Sequence, residues 1–169
     1  MIRCIGFVLI VAGASSAGIW MASRVNQELK CYRALLSALI SMQSEIRCNC
    51  STVVYASEKA SERIPAPVSD ILRSISTKLK DDPTVSPGLH AHCVLRRMHE
   101  IPSEMRDIMR ELFSLLGRQD LAAQLRALDL AVSRTECEIN KLLSDRPDRC
   151  RTYRIMGICG GLAIAVILL

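Results

Sequence analysis

Two apolar stretches without a charge, one near each end, constrain this chain more than any other feature. Residues 4–22, CIGFVLIVAGASSAGIWMA, are nineteen residues with no acid or base. Residues 155–169, IMGICGGLAIAVILL, are fifteen more. Nineteen residues of helix span about 28 Å at roughly 1.5 Å per residue, close to the roughly 30 Å of bilayer hydrocarbon. Fifteen span only about 22 Å, but Tyr153 and the stem of Arg154 can lengthen the run by snorkelling. Neither stretch keeps the polar face of a surface helix, and the interspersed Gly and Ser are normal in membrane helices. The sequence therefore predicts a transmembrane helix over 1–23, a cytosolic helical bundle over 24–153 and a second transmembrane helix over 154–169. A buried last helix is the rival for the tail. A cleaved secretory signal ending in AGASSA is the rival for the first run, but Trp20 and Met21 continue the apolar run past the small residues.

The basic residues set the side of the membrane. Arg24, Lys30 and Arg33 follow the first run, and Arg146, Arg149, Arg151 and Arg154 precede the second. Both clusters lie where the positive-inside bias acts, so the middle is expected in the cytosol. Arg24, Arg149, Arg151 and Arg154 are also the residues placed to meet anionic headgroups. The whole chain has 22 Lys and Arg against 17 Asp and Glu, with the signs interspersed and aromatics at 4%. There is no basic block, so nucleic acid is not an expected partner.

Neither a Gly-rich phosphate loop nor a GxSxG elbow is present. Glu104, Asp107 and Glu111 stand at helical spacing beside Arg106 and Arg110, the pattern of a solvated face with local charge pairs. No catalysis, cofactor or small-molecule substrate is expected. The eight cysteines should be reduced thiols in a cytosolic domain. CNC at 48–50 and HAHC at 90–93 invite a zinc site, but CNC has one intervening residue where zinc pairs have two to four. Cysteine as a soft core filler is the plainer reading. His90, His92 and His99 are expected on the surface.

The middle reads as helices. Leu29, Tyr32, Leu35, Leu36, Leu39, Ile40, Met42 and Ile46 recur at spacings of three and four. CNCST breaks that helix, with Ser51 as the expected cap of the next, which runs to Ile64. Pro65 and Pro67 punctuate, and Val68, Ile71, Leu72, Ile75 and Leu79 resume the period. Ser86 and Pro87 read as cap and first residue of a helix to His99. Met105, Ile108, Met109, Leu112, Phe113 and Leu116 form one face, ended by Gly117. Asp120 is placed to cap the last helix, which carries Leu121, Leu125, Leu128, Val132, Thr135, Ile139 and Leu142 onward. Pro147 is expected to bend it. The expected fold is all-α: an antiparallel bundle of five or six helices, flanked by the two membrane helices.

The stretch ELFSLLGRQDLAAQ, residues 111–124, is the most specific. Leu116-Gly117, then Asp120, then Gln124, ends one helix, caps the next and sets a polar residue into it. This turn resembles that of the stage III sporulation protein AB family, in which an LG..D...Q turn joins the last two soluble helices. It is also similar to turns in the inner-membrane F component of type II secretion systems. The resemblance extends to the length, the YRALLSALISMQSEI helix from Tyr32 closing on Glu45 and Ile46, the break after it and the apolar ends. A glycine often found ahead of the LG is missing, where Leu112, Phe113 and Ser114 stand. The cysteines and HAHC are not typical of the family, and no family role passes to them.

The resemblance implies a sporulation protein of the mother-cell membrane. It implies membership of a secretion-like complex that joins mother cell and forespore, with a cytosolic secretion-type ATPase among the partners. A non-enzymatic platform linking that ATPase to the membrane channel is the implied role. Gly117, Asp120 and Gln124 are the candidate contact residues, beside the plainer reading that they only shape the turn. Two other classes stay open at this point: an unrelated membrane-tethered scaffold or assembly factor, and an exported helical domain stapled by disulfides.

Overall fold

Five helices begin just after a residue that suits a helix start, and the boundaries follow from local chemistry. The structure is a computed structural model. It describes the backbone of residues 2–98, 100–116 and 120–168, and the side chains of residues 26–98, 100–116 and 120–144. Six helices follow in order: α1 (Ile2–Asn49), α2 (Val53–Ser61), α3 (Val68–Asp81), α4 (Pro87–Leu95), α5 (Ser103–Leu115) and α6 (Leu121–Leu168). No strand occurs among the described residues.

The α1–α2 break is built by two residues. Cys50 takes a left-handed φ of 48°, which turns the chain out of α1. Thr52 then caps α2, its hydroxyl accepting from the Tyr55 N–H at 3.3 Å. The cap is Thr52 and not the expected Ser51. Both residue types cap well, and only the turn at Cys50 decides which one reaches the helix end. Ser86 precedes α4 without a side-chain cap bond, and Pro87 occupies the first turn, where a missing N–H costs nothing. Asp120 caps α6, accepting from the Ala123 N–H at 3.2 Å.

Two expected helices are shorter than the period suggested. α2 stops at Ser61, and the Arg63 N–H turns back to the Ala60 carbonyl. α4 stops at Leu95 and not at His99. Arg97 and Met98 donate to the Val94 and Leu95 carbonyls, three residues back, so the chain tightens out of α-geometry. Elsewhere the elements run on. α1 is one helix across the expected boundary at residue 23, and α6 is not broken at Pro147.

The chain divides into two units, Met1–Leu29 with Asn140–Leu169, and Lys30–Ile139. Both predicted transmembrane runs, 4–22 and 155–169, fall in the first unit and on residues whose side chains lie outside those described. Among the described residues, no helix is long and apolar enough to cross a membrane.

The Lys30–Ile139 unit is a helical bundle with one apolar core. α1 contributes Tyr32, Leu35, Leu39, Met42 and Ile46, all buried. Leu36 and Ile40, counted on the same face from the sequence, lie off it. Each follows a core residue by one position, a turn of about 100°, and Ile40 is 50% exposed. α2 presents Ala56, Ser57, Ala60 and Ser61, small residues that let α3 approach. The α3 and α5 faces are buried as their spacing predicts, with Ile71, Ile75, Met105 and Phe113 at 0% exposure. In α6, Leu128 and Thr135 are fully buried, but Leu121 is 47% exposed. Thr135 meets its burial cost by donating to the Ala131 carbonyl at 2.7 Å. Gly88 sets the fit of α4 on α5: a Cβ there would stand 2.8 Å from Ser114 Cα.

Candidate functional site

The α5–α6 turn begins at Leu116, which leaves the helix in an extended conformation and is itself fully buried. Gly117 lies outside the described residues. Asp120 is exposed, and its carboxylate spends one oxygen on the first turn of α6. Its carbonyl accepts from Ala123 at 3.1 Å and Gln124 at 3.0 Å. Gln124 is half-buried and faces a groove of about 520 Å³. Leu121 is beside it in the wall. Opposite stand Val54 of α2, Leu79 at the end of α3, and Val85 and Pro87 at the start of α4. Thus two of the three turn residues singled out in the sequence behave differently: Asp120 is a helix cap, and Gln124 lines a groove. Sequence reasoning missed the other walls, because they come from segments 34 to 74 residues away along the chain. Leu121 gave no signal, because it fits the helical period and only the fold shows it 47% exposed.

Cys48, Cys50 and Cys93 are free and exposed, not core fillers. Among the described residues, no three of His, Cys, Asp or Glu gather where a metal could bind. The His90 ring lies 3.0 Å from the Asp82 carbonyl oxygen. Glu104, Asp107 and Glu111 form a solvated face. Arg110 bonds Asp107 at 2.8 Å, Arg134 pairs with Glu111, and Ser103 donates to Glu104 at 2.8 Å. Arg24, Arg149, Arg151 and Arg154 have side chains outside those described. At Asp82, the Thr84 hydroxyl donates at 2.6 Å and holds the carboxyl below its ordinary range, helped by the Thr84 N–H and by nearby His90.

The described residues define an all-helical bundle with a groove at the starts of α2, α4 and α6. The chain belongs to the stage III sporulation protein AB family, whose model matches residues 3–169. It is 22% identical to stage III sporulation protein AB of Bacillus subtilis (strain 168), over 172 residues and 100% of both chains. A solved structure of a stage III sporulation protein AB superposes with a TM-score of 0.64 at 18% identity, covering 72% of this chain and 98% of that one. The family is one of sporulation proteins, and neither match is named as an enzyme.

Proposed function

We propose that this chain is a non-enzymatic membrane platform of the sporulation apparatus, linking a cytosolic secretion-type ATPase to a channel between mother cell and forespore. The observation that carries the reading is the family match over 3–169, which takes in both apolar runs together with the bundle. The two runs anchor the chain in the mother-cell membrane as transmembrane helices, and the antiparallel bundle between them lies in the cytosol. The basic residues Arg24, Arg149, Arg151 and Arg154 hold the membrane ends at the anionic leaflet. Between these anchors the chain supplies helical faces and not a reaction centre.

Co-purification tests the link. The full chain, tagged and extracted from sporulating cells in mild detergent, should bring down the secretion-type ATPase made in the same cells. Recovery of the chain from the membrane with the ATPase left wholly in the soluble fraction would sink the platform reading.

A further inference from the structure

We draw no further inference here: the strongest candidate, the groove at the starts of α2, α4 and α6 walled by Val54, Leu79, Val85, Pro87, Leu121 and Gln124, carries nothing because nothing in the structure shows what covers it.

Discussion

Thr52 and Ser51 differ by one position, and the left-handed turn at Cys50 gives them different work. Thr52 bonds the Tyr55 N–H, so Thr52→Ala leaves the first turn of α2 uncapped and should cost about 0.5–2 kcal/mol. Ser51→Ala should cost less than about 0.5 kcal/mol. Urea unfolding of the purified chain, followed by circular dichroism, compares the two; equal losses would mean that Ser51 caps. Asp82 supplies a pH effect of known sign. Thr84 stabilises its ionised carboxylate, so the folded pKa lies below the unfolded one. The stabilisation is present above the ordinary carboxylate range and is lost as the pH falls through the lowered folded value. Carboxyl NMR titration should show Asp82 among the last aspartates to protonate, and Thr84→Val should move it back up. No movement in that variant would assign the shift elsewhere.

Among the elements, α4 and α5 approach closely at Gly88. A methyl at Gly88 would stand 2.8 Å from the Ser114 Cα, a backbone atom that cannot rotate aside. Gly88→Ala gains helix propensity worth roughly 1 kcal/mol but forces the two helices apart, and overpacking typically costs about 1–3 kcal/mol. The expected net is a loss of up to about 2 kcal/mol, read as a lower thermal midpoint; a raised midpoint would show that the helices part freely. The elements also show what the sequence could and could not reveal. The α3 and α5 faces were legible because every apolar residue repeats at three or four and no other pattern competes. The α1 face was legible only in part, since Leu36 and Ile40 fit the period within tolerance and only burial in the fold shows which stripe is the core one. The ends of α2 and α4 were hidden because no Pro or Gly stands at the residue where either helix stops. The groove was not legible at all, since its walls come from helix starts that only the fold brings together.

At the scale of the whole molecule, α1 and α6 each join an apolar run to the bundle within one helix of 48 residues. A helix that leaves the water carries its N–H and C=O groups already paired, and so does one that continues into a domain. One uninterrupted helix therefore meets the backbone requirement on both sides of a membrane surface. If 4–22 and 155–169 both cross, the two ends of the Lys30–Ile139 unit face the same compartment, and under the proposed topology, argued from the basic residues beside the runs, that compartment is the cytosol. Arg73 is exposed in the middle of α3 and offers a site to test this. In a cysteine-free background, Arg73→Cys should resist an impermeant maleimide in intact cells and react once the cells are lysed. Reaction in intact cells would put the bundle outside, beyond the reach of any cytosolic ATPase. It would also place the exposed thiols of Cys48, Cys50, Cys93 and Cys137 where disulfides persist, so the reversed topology carries its own second signature. Cell-surface labelling together with incomplete thiol counts after denaturation would replace the platform with an exported domain. Protection together with a full thiol count leaves the bundle facing the cytosol, where a cytosolic ATPase could reach it.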